Sequence, residues 1–316
     1  MNPAQHHSLM AFLLSTALPL SENESAHNIT SWQHLAQKQY DLWAFPFERA
    51  VAGGFCSLNM GTAFMSGYQG ALQAIAPEVV DYNAASFCVT ESGGHKPSAV
   101  ATTLSPGADG DWILNGQKSF VSGAEHARRL LVAASTGIDA QGRNRLALVW
   151  LDTTLPGVEI MPLPALPFAP DISHGTVQFH QVIVPFSQRL QGDGYSNYVK
   201  PFRTVEDLHV SGAILGYWVR LGRELNLPHN LIEALLALIS LHQQLAQQAA
   251  DDPATHLALA GARTLMETTL DQLETALQAS HPGQAQCWER DKALLSVAGK
   301  ARTQRTETAW QKLTPS

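Results

Sequence analysis

The chain has 316 residues, of which 45% are hydrophobic and 15% charged, and its formal net charge is −7. This length and composition suit a soluble globular protein of two or three domains. The negative charge, with scattered lysines and arginines, argues against a duplex nucleic-acid binder, because phosphate neutralisation needs clustered basic residues. Cys56, Cys88 and Cys287 form no CxxC pair and no metal-ligand spacing. The cysteines therefore predict a reducing, cytoplasmic location and no metal site.

The N-terminus contains an apolar run from Met10 to Leu20 that has the length of a signal-peptide core. No Lys or Arg precedes this run, so the positive region of a signal peptide is missing. Leu9, Leu13, Ala17 and Leu20 also fit one helical face, and a first packed helix is the favoured interpretation. No run in the sequence reaches the ~18 apolar residues of a membrane-spanning helix.

Residues 1–85 are predicted to form a small N-terminal helical domain. Thr30 or Ser31 is expected to cap a helix that ends near Pro46, because proline has no amide hydrogen to donate. The glycine-rich segment Ala52–Ala76 is predicted as a further helix. Its small residues would allow close packing against a neighbour or a ligand, and a loosely packed buried helix is the alternative.

Residues 86–190 alternate short runs of β-forming residues with turn signals, which predicts an antiparallel β domain. The spacing favours a barrel or sandwich of about seven strands. Asn115-Gly116 lies between two such runs and predicts a hairpin turn, because both central residues of that turn must tolerate positive φ. Three further predicted strands are Arg129–Ala134, Arg145–Leu151 and Thr176–Val184.

Residues 191–316 lose the period of two and are predicted to form a C-terminal helical bundle. Apolar residues recur at helical spacing in three stretches, which are Leu231–Leu245, Leu257–Leu277 and Leu294–Ala301. Asp252-Pro253 is predicted to begin a helix, since Asp can cap it and Pro is favoured at the first helical position. The fold class is therefore α+β, with the order helices, β domain, helix bundle.

The sequence has no GxxxxGK phosphate loop, no GxGxxG after a strand, no HExxH and no GxSxG elbow. These absences leave the activity open on the residues alone. A resemblance to a known family narrows the choice.

Four motifs resemble those of acyl-CoA dehydrogenases, in the family's order and spacing. Val89-Thr-Glu-Ser-Gly-Gly94 resembles the family's V/L-T-E-P-G-A-G-S-D segment. Gly110-x-Trp-x-Leu-Asn-Gly-x-Lys118, followed by Phe120-Val-Ser122, is similar to its G-x-x-x-L-N-G-x-K hairpin and W-I-T segment. Pro156-Gly-Val158 resembles its P-G-V/I turn, and Ser173–Pro185 resembles its S-x-x-x-V-x-F-x-x-V-x-V-P strands. The predicted helix, β domain and bundle also follow that family's order.

The resemblance implies FAD as the cofactor. In the family, the V-T-E and W-I-T segments lie against the edge of the isoalloxazine ring. The matching positions in this chain, and the predicted cofactor-binding residues, are Val89, Thr90, Phe120, Val121 and Ser122. For each residue taken alone, ordinary strand packing is the alternative interpretation.

The resemblance also implies α,β-desaturation of an acyl thioester, carried by CoA or by a carrier protein. A carboxylate removes the α-proton while the flavin takes the β-hydrogen as hydride. Many members use a Glu near the C-terminus, where this chain has Ala298 or Gly299. Isovaleryl-CoA and long-chain dehydrogenases place the Glu on the helix after the β domain. Counting back from Leu215-Gly216 assigns that position to Glu206, and a solvated acidic residue in a first helical turn is the alternative.

Several family motifs are absent. His95-Lys96-Pro97 replaces G-S-D, and neither R-x-x-F-G nor Q-x-x-G-G-x-G has a clear counterpart. The β-domain half of an FAD site is thus expected to be retained and the bundle half remodelled. Two alternatives stay open: a non-catalytic scaffold or acyl-binding member, and a flavin-dependent monooxygenase supplied with reduced flavin. The expected partners are an electron-accepting flavoprotein if the enzyme is active, and copies of the chain in a homodimer or homotetramer.

Overall fold

The computed structural model describes residues 8–94 and 96–314. Contacts divide the chain into two compact units, which are described separately below. Unit 1 consists of Met1–Ala71, Leu166–Asp171 and Thr204–Ser316, and unit 2 consists of Leu72–Ala165 and Ile172–Arg203. The predicted fold class is confirmed, since helices precede and follow a β region along the chain. The domain boundaries drawn from the sequence at 85/86 and 190/191 stay predictions.

The described residues form nine α-helices, most of them in unit 1. Their bounds are α1 Leu9–Ser15, α2 Ile29–Leu42, α3 Pro46–Phe55, α4 Met60–Ile75, α5 Lys200–Glu224, α6 His229–Leu245, α7 Pro253–Ser280, α8 Pro282–Asp291 and α9 Gly299–Leu313. None of the described helices is long and apolar enough to cross a membrane.

The N-terminal helices differ from the predicted ones in their bounds. Helix α1 ends at Ser15, so the predicted face from Leu9 to Leu20 is interrupted after Leu13, and only Leu9 and Leu13 are buried. The cap of α2 is Asn28 rather than Thr30 or Ser31. Asn28 Oδ1 accepts the backbone N–H of Ser31 at 2.9 Å while the Ser31 hydroxyl accepts that of Asn28. This reciprocal pair is a capping box, which places the cap two residues upstream of Thr30.

The predicted helix over Ala52–Ala76 is two helices, α3 and α4, separated at Cys56–Asn59. Asn59 Oδ1 accepts the backbone N–H of Thr62 and so caps α4. Pro46 occupies the first position of α3, where its missing N–H has no helical partner to lose. Pro46 therefore begins a helix as well as lying past the end of α2.

Glycines let α3, α4 and α5 approach closely within unit 1. A Cβ at Gly54 of α3 would lie 1.9 Å from the carbonyl oxygen of Ala213 in α5. A Cβ at Gly67 of α4 would lie 2.4 Å from the Cα of Val210, one turn earlier on α5. Because real Cβ atoms cannot approach so closely, only glycine fits at these positions. The close-packing interpretation of the small residues is confirmed.

Unit 2 contains one seven-stranded sheet in the order β1-β4-β2-β3-β7-β6, with β5 paired to β4. The strand bounds are β1 Ala85–Cys88, β2 Thr103–Pro106, β3 Trp112–Ser122, β4 Arg129–Ile138, β5 Asn144–Asp152, β6 Val158–Pro162 and β7 His174–Val184. The three predicted strands correspond to β4, β5 and β7. Most pairs are antiparallel, as predicted, whereas β4 pairs in parallel with β1 and β2. Alternating apolar side chains from β2, β3, β4, β5 and β7 form one buried core.

The predicted hairpin turn at Asn115-Gly116 is wrong, because β3 runs through both residues. Two residues of β7 oppose Asn115 in a β-bulge, and Asn115 Oδ1 accepts the backbone N–H of Gln181 at 2.8 Å. Gly116 has φ of 141° and a Cβ there would lie 2.6 Å from Thr102. The glycine therefore serves a close strand contact. The turn between β2 and β3 lies at Gly107–Asp111 instead, where Gly107 N–H donates to the Asp111 carbonyl.

The C-terminal helices match the predicted breaks. Asp252 caps α7 by accepting the backbone N–H of Ala254 at 3.0 Å, and Pro253 is the first helical residue. The predicted helical face over Leu294–Ala301 is wrong. A short 3-10 turn occupies Lys292–Ser296, Val297 is exposed, and α9 begins only at Gly299.

Candidate functional site

Two backbone segments of unit 2 bring the predicted cofactor-binding residues together. Val89 and Thr90 follow the end of β1, and Phe120 to Ser122 end β3. The backbone N–H of Ser119 donates to the carbonyl of Thr90 at 2.8 Å, and the hydroxyl of Ser86 donates to the carbonyl of Ser122 at 2.8 Å. These hydrogen bonds hold the two segments side by side. We call them the edge segments, residues 89–90 and 119–122.

A buried ion pair connects the two edge segments, because Glu91 follows one of them and Lys118 precedes the other. Lys118 Nζ lies 2.7 Å from Glu91 Oε1, with side chains 0% and 7% exposed, and also donates to the Val89 carbonyl at 3.2 Å. The Glu91 carboxylate accepts the backbone N–H groups of Ala101 at 2.8 Å and Thr102 at 3.1 Å. Lys118 thus joins β3 to the segment that follows β1.

Burial and the pairing of opposite charges shift the pKa values of both residues of this ion pair. Burial opposes ionisation of Glu91, but the Lys118 ammonium and the two amides outweigh it and lower the pKa of the carboxyl. Burial also lowers the pKa of Lys118, and the Glu91 carboxylate offsets part of that effect. Both residues lie inside the motifs quoted from the sequence, and neither was assigned a role there. Single acidic and basic residues are usually solvated, and only the fold reveals that these two are paired.

The side chains of the edge segments divide between ligand-accessible and buried positions. Phe120 has φ of 53° in a β-bulge and its side chain is 68% exposed. Thr90 and Ser122 are half-buried, and within residues 8–94 and 96–314 neither hydroxyl has a hydrogen-bond partner. Val121 instead points into the sheet core and is 2% exposed, so its side chain packs and only its backbone could meet a ligand.

Positive φ at a bulky aromatic residue is a strained conformation that surrounding structure must enforce. At Phe120, the bulge turns a large ring outward from the same edge segments that carry Thr90 and Ser122, whose hydroxyls have no hydrogen-bond partner in the described part of the chain. An aromatic face with adjacent hydroxyl groups suits a flat, polar-edged ring system. Such an arrangement fits the isoalloxazine of a flavin.

Glu206, the predicted base, lies in the second turn of α5 in unit 1 and is half-buried. Val210, one turn further along the same face, packs against Gly67 of α4. Glu206 is therefore on the side of α5 that faces α4. Its neighbour Asp207 faces α9 instead, where Arg302 and Arg305 bind its carboxylate.

The region of the missing bundle motifs is compact in this chain. His281 alone separates α7 from α8, which leaves no room for a glycine-rich loop. Arg290 and Asp291, which begin the segment before Ala298, form an ion pair, and buried Asp291 also accepts the backbone N–H of Ala169 at 2.7 Å. The segment His95-Lys96-Pro97, which stands where the family has G-S-D, begins with a residue that lies outside the described residues. The described residues also contain no cluster of His, Cys, Asp or Glu able to hold a metal ion.

Known proteins resemble the part of the chain that carries the edge segments. The profile of the family described as acyl-CoA dehydrogenase, middle domain, matches residues 86–182. The probable acyl-CoA dehydrogenase YdiO of Escherichia coli is 32% identical over 78 residues, which are 25% of this chain and 20% of that protein. Acyl-CoA dehydrogenase FadE34 of Mycobacterium tuberculosis is 38% identical over 74 residues, 23% of this chain and 10% of that protein. The matched segment thus spans a fifth or less of these curated relatives.

Solved structures extend the likeness to the fold of the whole chain. Butyryl-CoA dehydrogenase from Megasphaera elsdenii superposes with a TM-score of 0.70 at 15% identity, covering 98% of this chain and 99% of that one. TdsC from Paenibacillus, solved with FMN and indole, gives 0.68 at 14% identity, covering 97% and 94%. The fold is that of acyl-CoA dehydrogenases and related flavin enzymes. Residues 86–182 thus match the middle domain of acyl-CoA dehydrogenases and the chain has their fold, so the resemblance stated from its motifs is confirmed.

Proposed function

We propose that this protein is an FAD-dependent enzyme that introduces an α,β double bond into an acyl thioester, with Glu206 as the base. The observation that carries the cofactor assignment is that the edge segments present both an exposed Phe120 ring and the hydroxyls of Thr90 and Ser122, which have no hydrogen-bond partner among the residues that the structure describes. Hydroxyls without internal partners are free to bind the polar edge of a ring. The backbone of Val89 and Val121 completes that edge.

Each residue has one task in the proposed reaction. Phe120 covers the ring face, and Thr90 and Ser122 orient its edge through their hydroxyls. Glu206 receives the α-proton on a carboxylate oxygen, which requires that the carboxyl be ionised before the step. FAD, when bound, supplies the hydride acceptor. Enclosure of the thioester would keep water from competing for the proton.

The proposal also covers the surroundings of the reaction. Cys56, Cys88 and Cys287 are all free thiols, which supports a reducing, cytoplasmic setting. One structural neighbour, described as the electron transferring flavoprotein of Acidaminococcus fermentans, superposes with a TM-score of 0.68 at 14% identity. We include an electron-accepting flavoprotein as partner, CoA or a carrier protein as the thioester's carrier, and a homodimer or homotetramer as the assembly.

The test begins with the visible spectrum of the purified protein, followed by anaerobic addition of acyl-CoAs of increasing chain length. A yellow protein bleached by one of them supports the proposal and names the chain length. A colourless protein that takes up no added FAD overturns it in favour of a scaffold. A flavoprotein that no acyl-CoA bleaches, but that consumes oxygen when given reduced flavin, is a monooxygenase.

The role of Glu206 needs a separate variant. Glu206→Gln keeps the shape of the side chain and cannot take the proton, so it should bind FAD normally and lose bleaching by at least 10³-fold. Glu233→Gln on the exposed face of α6 is the matched control and should bleach at the wild-type rate. Full-rate bleaching by Glu206→Gln would exclude this residue as the base.

A further inference from the structure

A groove between α5, α7 and α9 in unit 1 contains three arginines that the proposed reaction does not use. Its volume is about 460 Å³, which is within the range of small-molecule sites. Arg263, Arg302 and Arg305 line it together with Asp207 and Trp310. We call this cavity the arginine groove.

The arginines exceed the buried negative charge of the groove. Arg302 and Arg305 share a single carboxylate, that of Asp207, whose side chain is 11% exposed. Arg263 pairs with Glu267 at 2.9 Å, but that carboxylate is 54% exposed. Glu307, the third carboxylate that lines the groove, is exposed as well. Water screens an exposed charge much more strongly than a buried one. The inner wall therefore carries three positive charges against one negative charge, an excess of about two.

Donor groups also remain unused. A guanidinium has five N–H donors. Arg302 uses its three nitrogens on Asp207 and on the carbonyl of Leu295. Arg263 donates to Glu267 and to the same Leu295 carbonyl. The buried Nε of Arg305 has no acceptor among the described residues. The groove thus offers donors in a fixed array with too few protein acceptors.

The charges of the groove also act on the pKa of Arg263. Burial lowers this pKa most, the charge of Arg302 lowers it further, and Glu267 and Asp207 oppose the shift. The arginines accordingly repel each other in the absence of an anion. A bound anion would relieve that repulsion.

We propose that the arginine groove binds a small organic phosphomonoester. A phosphomonoester carries about 1.5 to 2 negative charges at pH 7, which matches the excess, whereas a carboxylate carries one. Its oxygens accept paired hydrogen bonds from guanidinium groups. The groove is larger than a phosphate group, and its apolar wall of Leu259, Ala260 and the half-exposed Trp310 ring accommodates an organic moiety. All of these residues lie on α5, α7 and α9, so the inference is independent of the proposed reaction.

The test measures binding of phenyl phosphate to the purified full chain by isothermal titration calorimetry. Saturable binding of phenyl phosphate, at least tenfold tighter than that of benzoate, is the expected result. Absence of saturable binding up to 10 mM, or equal affinity for benzoate, overturns the proposal.

Three variants locate the site without burying an unpaired charge. Arg263→Gln should weaken the binding of phenyl phosphate at least tenfold, because it removes one of the three positive charges. It leaves no buried group unpaired, since Glu267 is exposed to water and the Leu295 carbonyl keeps its bond to Arg302. Glu267→Gln should tighten binding several-fold, since it removes a rim negative charge. Arg143→Gln, an arginine 75% exposed in unit 2, is the matched control and should bind as the wild type does. Equal weakening by Arg263→Gln and Arg143→Gln would place the ligand elsewhere and overturn the assignment.

The source of the phosphomonoester can be distinguished with CoA and dephospho-CoA, which differ by one such group. If CoA binds more tightly and Arg263→Gln abolishes the difference, the group belongs to a CoA-type carrier. If both bind equally while phenyl phosphate binds in the groove, the natural ligand is a free phosphomonoester. Both results support the groove as a phosphomonoester site. If neither CoA nor phenyl phosphate binds, the proposal is overturned.

Discussion

Lys118 and Glu91 show how a single buried pair can position a ligand-binding edge. Lys118→Met should destabilise the protein by about 3–5 kcal/mol, because it leaves the Glu91 carboxylate buried and short of its strongest partner. Chemical denaturation of the variant and the wild type measures the difference. Arg143→Met, which breaks an exposed pair with Asp139, should cost less than about 1 kcal/mol. Similar losses in both variants would show that the buried pair is not special.

The same pair predicts a pH dependence. Since the pKa of Glu91 is lower in the folded protein, its contribution is fully present above the unfolded-state pKa of about 4.3. That contribution is lost as the pH falls through the folded-state value. Glu91→Gln should therefore be less stable than wild type at pH 7, with a difference that shrinks towards pH 3. Unfolding free energies measured across this range give the test, and a constant difference would contradict it.

A substitution at Phe120 is expected to lower flavin affinity without lowering the stability of the protein. Phe120→Gly removes a strained positive φ and little buried surface, so stability should stay equal or rise by about 1 kcal/mol. Flavin affinity should fall, because the ring face is lost. Thermal denaturation and flavin titration of the same sample measure the two effects. Unchanged flavin affinity would mean that the ring does not contact the cofactor.

At the scale of elements, the contact between α3 and α5 depends on the absence of a side chain. Gly54→Ala should destabilise the protein by more than about 2 kcal/mol, since its Cβ would overlap the Ala213 carbonyl and the helices would have to separate. Gly261→Ala in α7 is the matched control, because nothing lies within 4 Å of its Cβ. That substitution should stabilise by about 0.5–1 kcal/mol through helix propensity. Denaturation curves that shift in the same direction would refute the packing argument.

Elements whose local pattern agrees with their environment were predictable from the sequence. The alternation in β4, β5 and β7, and the Asp252-Pro253 start of α7, are local signals that the fold keeps. The hairpin turn predicted at Asn115-Gly116 is wrong because contacts with Gln181 and Thr102, which are distant in sequence, override the local turn propensity. Local propensity could not show these contacts.

The position of the candidate site was predictable from the sequence, and the directions of its side chains were not. Motif order located the edge segments, and it did not distinguish the inward Val121 from the outward Phe120, because a bulge changes the alternation of side chains there. Leu294–Ala301 had helical spacing, but the chain leaves the helix at Lys292–Ser296. Both errors arise where the backbone departs from a regular repeat.

At the scale of the whole molecule, unit 1 combines the two ends of the chain with a short central segment. Residues 1–71 and 204–316 pack together, and residues 166–171 join them. Asp291 fixes one such connection by accepting the backbone N–H of Ala169. The bundle therefore depends on contacts between residues far apart in sequence, which composition and periodicity cannot reveal.

The uneven retention of family motifs leads to a prediction about the cofactor. The edge segments of unit 2 are proposed to bind the isoalloxazine ring, whereas the family's glycine-rich motif has no counterpart in the sequence and His281 alone separates α7 from α8. FMN has the same ring system and lacks the adenylate. In the Arg263→Gln variant, which weakens phosphomonoester binding in the arginine groove, equal concentrations of FMN and FAD should therefore raise the melting temperature equally.

Ligand binding stabilises a protein in proportion to the logarithm of its affinity. A tenfold contribution from the adenylate would add about 1.4 kcal/mol, or roughly 2–4 °C for a chain of this size. Differential scanning fluorimetry resolves a difference of that size. A larger shift with FAD than with FMN would show that other residues recognise the adenylate, whereas equal shifts would confine flavin recognition to the ring.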